Sequence, residues 1–220
     1  MQSGRRSTAP IALTFDDGPD PVWTPLVLDG LASVRARATF FVVAPRARRY
    51  PSLLARIREE GHEVGLHCTE HVRHDAMTLE EIEGDVESGL TALAAPVRLW
   101  RTPWGVVTPA TENVARKRGL TLVGWTADTE DWRGEPPDEM VGRVNRKLLP
   151  GAIVLMHDGV GPGATREGCA MTVGAIGPLV SLARARGLEP VRLHELRRPL
   201  PSSNPDPSLF RTGMKQVPLV

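Results

Sequence analysis

The feature that most constrains this chain is a unit that recurs along it: a helix ending in charged, mostly basic residues, then a glycine, then a short apolar strand. It runs through 53–60, Gly61 and 62–66, returns at 109–118, Gly119 and 120–124, and returns again at 173–186, Gly187 and 188–193. Glycine just past a helix end supplies the left-handed cap, and basic residues before it suit the negative end of the helix dipole. Further apolar runs at 11–15, 39–43, 97–100 and 152–156 read as strands. Because these runs are nearly continuous, both of their faces are expected to be covered, as in a parallel sheet. Helices are expected at 21–33, 79–93 and 137–148, with Thr78 and Glu81 forming a capping box at the start of the second. About seven strands alternating with as many helices predict an α/β fold with a parallel sheet. At this length a small or irregular (β/α)-barrel is favoured, and an open doubly wound sheet is the alternative.

A chain of 220 residues suits one domain with a sizeable core. Residues 9–196 carry the repeating pattern, 1–8 form an N-terminal extension, and 197–220 form a Pro/Ser/Arg-rich tail expected to wrap the surface or be loosely ordered. The 27 basic and 26 acidic side chains nearly cancel, so no nucleic-acid partner is expected. No apolar stretch is long enough to span a bilayer, so no membrane association is expected. Residues 1–6 are basic and polar with no apolar run behind them. That predicts a cytoplasmic protein, or a secreted one from which an export signal has been trimmed. Cys68 and Cys169 have neither zinc-ribbon nor redox-pair spacing and read as two free thiols.

The polar residues that can carry chemistry sit where the strands end, which is where parallel α/β folds build active sites. Thr14-Phe15-Asp16-Asp17-Gly18-Pro19 places two acids directly after a buried strand. If strand geometry persists, one carboxylate can hold a metal while its neighbour faces substrate; the alternative is a solvated turn capping the next helix. His67-Cys68-Thr69-Glu70-His71 places two histidines four residues apart, within reach of one ion on a helical turn. With one Asp they form a two-histidine, one-carboxylate set that leaves coordination positions open, a catalytic arrangement in character. Taken alone, the pair also reads as two surface histidines on a loop. His74 is an uncertain extra ligand or substrate contact, while His62 and His194 read as structural. Arg101-Thr102-Pro103-Trp104-Gly105 offers a guanidinium that can grip a carboxylate in a bidentate pair. Asp128-Thr129-Glu130-Asp131-Trp132 and Leu155-Met156-His157 complete the series.

In this order, these segments resemble the polysaccharide deacetylases of the NodB-homology type, carbohydrate esterase family 4. TFDDGP at 14–19, HCTEH at 67–71, RTPWG at 101–105, DTEDW at 128–132 and LMH at 155–157 match that family's motifs, over about residues 9–196. The resemblance implies a deformed (β/α)-barrel and hydrolysis of an N-acetyl group on a chitooligosaccharide, peptidoglycan-type or small amino-sugar substrate. It implies one divalent metal, zinc foremost with cobalt, nickel or manganese as alternatives, held by Asp17, His67 and His71. It implies Asp16 as base, His157 as acid, Arg101 orienting Asp16, and Asp131, less surely Asp128, supporting His157. Trp132 and Leu155 would line the acetyl pocket and the Trp104 amide would help bind the oxyanion.

Two positions depart from the pattern. Cys68 stands where the family has Ser or Thr, and Leu66 replaces a frequent Asn. In the family a hydroxyl at this position supports the loop by a hydrogen bond, so Cys68 is expected to alter local geometry or metal affinity. Rival functions are an O-acetyl or xylan-type esterase, an amidohydrolase acting on a small metabolite, and a carbohydrate-binding module without turnover.

Overall fold

Gly61, Gly119 and Gly187 follow their helices with left-handed backbones, at φ of 81°, 66° and 72°, and each turns the chain towards the next strand. The computed structural model describes residues 8–196. The residues before position 8 and the whole 197–220 tail lie outside the described residues.

From β1 (Ala9–Asp16) the chain passes through α1 (Trp23–Ser33) to β2 (Thr39–Val43), then through α2 (Ala44–Arg49) and α3 (Pro51–Glu59) to β3 (Glu63–Cys68). It continues through α4 (Leu79–Leu93) to β4 (Leu99–Trp100), and through α5 (Pro109–Arg118) to β5 (Thr121–Leu122) and β6 (Ala127–Asp128). Then α6 (Pro137–Val144) leads to β7 (Ile153–His157), and α7 (Ala170–Ala185) to β8 (Leu188–Val191) and the single turn α8 (Leu193–Leu196). The expected capping box is present: the Glu81 amide donates to the Thr78 hydroxyl, and the Thr78 amide donates to the Glu81 carboxylate.

Seven strands lie in the order β5-β4-β3-β2-β1-β7-β6, and every pairing is parallel. Ala12 aligns with Ile153 on one side and Val191 on the other, while Thr14 aligns with Leu155 and Thr39. Thus β8 and β2 follow one another along the same side of β1. The two edges of the sheet are stitched together by the segment between β5 and β6: Val123 N–H donates to Trp100 O at 2.9 Å and Thr126 N–H to Ile153 O at 2.9 Å. The sheet therefore curls into a deformed (β/α)-barrel, and the open doubly wound alternative does not apply.

Period-two alternation sorts the strand residues. Ile11, Leu13 and Phe15 of β1, Phe40 and Val42 of β2, Leu66 of β3, Trp100 of β4, and Val154 and Met156 of β7 share the main core with the helices. The opposite set, Ala12, Phe41, Leu99, Val123, Ile153 and Leu193, forms a second apolar cluster. Continuing the second set towards the strand C-termini gives Asp16, His67, Arg101, Asp128 and His157. The barrel interior is thus an apolar plug at one end and a ring of ionisable groups at the other. Among the described residues no helix is long and apolar enough to cross a membrane.

Candidate active site and metal centre

Asp17, His67 and His71 converge. The His67 and His71 Nε2 atoms are 3.2 Å apart, and Asp17 Oδ1 lies 3.5 Å from the first and 3.4 Å from the second. A tetrahedral ion with bonds of about 2.0–2.2 Å to nitrogen and oxygen sets its ligands roughly 3.3–3.6 Å apart, which is the size of this triangle. His67 Nδ1–H donates to Arg101 O at 2.8 Å, which leaves the Nε2 lone pair aimed at the triangle. Asp17 Oδ1 is buried and accepts no hydrogen bond from the protein. A buried carboxylate oxygen without a protein donor, facing two imidazole nitrogens, is a donor set that fits a cation.

The histidines do not meet on a helical turn. His67 is in β3, and the chain bends after Cys68 to bring His71 back beside it. Nor does Asp17 continue the strand: its backbone is left-handed at φ 73°, which sends its carboxylate to the histidines while Asp16 faces the barrel interior. Burial alone would raise the pKa of Asp17, but the contact with His71 and the imidazoles of His67 and His157 more than reverse this, so it lies below the usual carboxylate range. Burial pulls His67 down, in favour of the neutral, ligating form.

Two ion pairs flank the triangle. Arg101 is fully buried, and its Nη1 donates at 2.8 Å to both Asp16 Oδ1 and Thr14 Oγ1. Its other nitrogens donate to Val123 O and Gly124 O, and its guanidinium stacks 4.2 Å above the Phe41 ring. The single Asp16 contact, with no bidentate fork, is shaped by these additional bonds. On the opposite side Asp131 Oδ1 accepts from His157 Nδ1 at 2.7 Å, and Asp131 Oδ2 accepts the His157 amide at 2.9 Å. Burial works against a charged His157, but Asp131 outweighs it and lifts the imidazole to about 9. Asp131 itself, despite full burial, is held at about 2 by His157, Arg166 and Thr172.

The remaining sequence candidates divide. Trp104, 44% exposed, packs edge-on against His71 with centroids 4.3 Å apart. Trp132 is also exposed, on the short turn that begins at Asp131, while Leu155 is buried in β7. Asp128 Oδ1 accepts from the Glu130 amide, so the residue bonded to His157 is Asp131. His74 is outside the triangle: its ring bonds Thr111 and packs on Trp100, and burial lowers it to about 4. Both cysteines are free and buried, and burial pushes the Cys68 thiol far up, so it is a packing group.

Several functional neighbours lie beyond the sequence motifs. Asp85 on α4 accepts from the Thr69 and Glu70 amides, and the Thr69 hydroxyl donates to Asp85 O. This is the brace for the histidine loop that Cys68 cannot supply. Arg46 on α2 donates to Asp17 O and to Val160 O. Arg166 and Thr172 both bond Asp131. The Gly-rich segment 159–168 is tied down at Val160 by Arg46 and at Thr165 by Trp132 O. At Gly161 a Cβ would come within 2.1 Å of Asp17 Oδ2, so only glycine lets the segment pass this close to the triangle.

A family model described as polysaccharide deacetylase matches residues 3–123. A peptidoglycan-N-acetylglucosamine deacetylase of Bacillus cereus is 35% identical over 193 residues, covering 86% of this chain and 88% of that protein. A chitooligosaccharide deacetylase of Bradyrhizobium sp. is 38% identical over 198 residues, covering 85% and 89% respectively. The solved structure of a family 4 carbohydrate esterase from Streptomyces lividans in complex with acetate superposes with a TM-score of 0.76 at 28% identity, over 84% of this chain and 93% of that one. Motifs, barrel and relatives agree, and the chain belongs to the polysaccharide deacetylase family.

Proposed function

We propose that residues 9–196 form a divalent-metal-dependent hydrolase that removes the N-acetyl group from an N-acetylated sugar, of chitooligosaccharide, peptidoglycan or small amino-sugar type. The observation that carries this reading is one of arrangement. A cation-sized triangle, a carboxylate held by a buried arginine, and a histidine held by a buried carboxylate share one rim of the barrel. The named activities of the Bacillus and Bradyrhizobium relatives support it.

Asp17, His67 and His71 would hold the ion, and two imidazoles with one carboxylate suit zinc. When bound, such an ion lowers the pKa of coordinated water and polarises the acetyl carbonyl. Asp16, fixed by Arg101, takes the proton of the attacking water. His157 has Nδ1 committed to Asp131, so Nε2 is left to give a proton to the departing nitrogen. The Trp104 amide serves the oxyanion, while Trp132 and Leu155 flank the acetyl methyl. Amine departure from a tetrahedral intermediate requires protonation far more than alcohol departure does. Proton delivery from His157 therefore matters more for an amide substrate than for an ester.

The test is acetate release from a chitooligosaccharide by zinc-loaded protein, with Asp16→Asn as control. Release that the control abolishes supports the reading; release from acetylated xylan alone would replace it with the esterase function.

A further inference from the structure

Arg166 sits in the Gly-rich segment between β7 and α7, outside every motif that led to the site, yet its side chain is 3% exposed. Its Nη1 donates to Asp131 O at 3.1 Å, to Asp131 Oδ2 at 2.9 Å and to Thr172 Oγ1 at 2.5 Å. Its Nη2 donates to Gly159 O at 3.1 Å and to His157 O at 3.5 Å. One guanidinium therefore grips both the backbone and the carboxylate of Asp131, and reaches the backbone of His157 as well.

The geometry at Asp131 explains what such a grip does. The torsion that turns a carboxylate about its own axis is soft. Here Oδ2 collects three donors, the His157 amide at 2.9 Å, Arg166 Nη1 at 2.9 Å and the Thr172 hydroxyl at 2.7 Å. With Oδ2 fully occupied, the carboxylate plane is fixed and Oδ1 is left to His157 Nδ1. Asp16, Asp17 and Asp128 also act electrostatically on this imidazole, but its hydrogen-bonded carboxylate is Asp131.

We propose that Arg166 is a positioning residue for His157: by clamping Asp131 from the far side it fixes the orientation of the imidazole that delivers the proton. This rests on His157 as proton donor. Thr172, the first-turn residue of α7 that bonds the same oxygen, is the second jaw of the clamp. The glycines around Arg166 let the segment reach the site closely enough for its guanidinium to turn inward.

The test combines kinetics with a readout that needs no turnover. In the full-length zinc-loaded protein, the hydrogen-bonded Nδ1 proton of His157 gives an NMR signal, assigned by its loss in His157→Gln. Arg166→Met is expected to shift or broaden that signal. It is also expected to lower kcat for acetate release roughly 10- to 100-fold, the usual scale for a removed supporting partner. KM should change by less than about twofold and zinc content should not change, because the lost bond serves a proton-transfer step. Arg166→Lys keeps the charge without the fork and should recover part of kcat. Thr172→Val should move both readouts the same way and to a smaller extent, which keeps the idea testable should Arg166→Met fail to fold. An unmoved Nδ1 signal with wild-type kcat in Arg166→Met, or in Thr172→Val should Arg166→Met fail to fold, would overturn it and leave Arg166 as a loop tie only. Should wild-type protein release no acetate from any sugar, the functional reading fails, while the Nδ1 signal still decides whether Arg166 orients His157.

Discussion

Asp16 and Asp17 are adjacent, chemically identical and placed in different work by one backbone torsion. The left-handed φ of 73° at Asp17 swings its carboxylate to the histidines, and Asp16 keeps the strand geometry that points it at Arg101. Their substitutions should therefore separate. Asp17→Ala, His67→Ala and His71→Ala are each expected to strip or weaken the ion, read as zinc content after dialysis. Asp16→Asn should keep the ion and lose turnover; retained acetate release would move the base elsewhere. The acid has its own signature. In the proposed mechanism His157 donates its proton; it is raised to about 9, so activity should fall as pH climbs towards that value. A bound cation would offset the Asp17 charge that helps raise it, so the limb should lie no higher than about 9 in loaded enzyme. Asp131→Asn removes the main raising partner and leaves burial to pull the imidazole down. The alkaline limb of kcat should then move to lower pH, and a limb that stays put would assign it to another group. At this scale the sequence is readable wherever a residue type has few other reasons to follow a buried strand. Asp16, His67, Arg101 and His157 are readable this way because each continues the interior face of its strand. Arg166 is not, since an arginine in a glycine-rich loop looks the same in solvent as it does on a buried carboxylate.

At the scale of elements, the histidine loop shows how a neighbour replaces a missing side chain. A buried thiol at position 68 is a poor hydrogen-bond partner, and Asp85 from α4 carries the loop amides instead. Asp85→Ala would leave two part-buried amides without an acceptor, at about 1–3 kcal/mol for each one that water cannot reach. The expected result is a loss of roughly 2 kcal/mol in urea denaturation together with about 10- to 100-fold weaker zinc binding. Lowered stability with unchanged zinc affinity would show that Asp85 braces the fold and leaves the ligands untouched. Nothing near Asp85 in the chain announces this role, because the contact joins α4 to the end of β3 and depends on how helix and strand pack. The strands and longer helices are legible for the opposite reason: apolar runs and glycine caps are local. Where the local signal is short it fails. The two-residue β6 carries no apolar run, and α2, rich in Arg with a proline at its start, lacks a periodic face long enough to stand out.

For the whole molecule, the division of the barrel interior predicts how folding and ion binding are coupled. The apolar cluster of Ala12, Phe41, Leu99, Val123, Ile153 and Leu193 fills one end without help from the site. The ionisable rim at the other end gathers Asp16, Asp17, Asp128 and Asp131 with Arg46, Arg101, Arg166 and three histidines, and most of these charges are paired within the protein before any ion binds. The apo protein should consequently stay folded, unlike small domains whose structure depends on their zinc. Binding to the native state alone stabilises by about 4 kcal/mol when free metal is 1,000-fold above Kd. At this chain length that corresponds to a rise in Tm of roughly 8–16 °C. Adding a chelator should lower Tm by that order with far-UV circular dichroism at room temperature unchanged, and restoring zinc should reverse the shift. His71→Ala tests the origin of the effect, because it removes one ligand from a half-exposed loop and leaves the apolar cluster intact. Its Tm should match that of chelated wild type and respond little to zinc. A variant that still gains the full shift on adding zinc would mean that the stabilising ion binds somewhere other than the triangle at the end of β1 and β3.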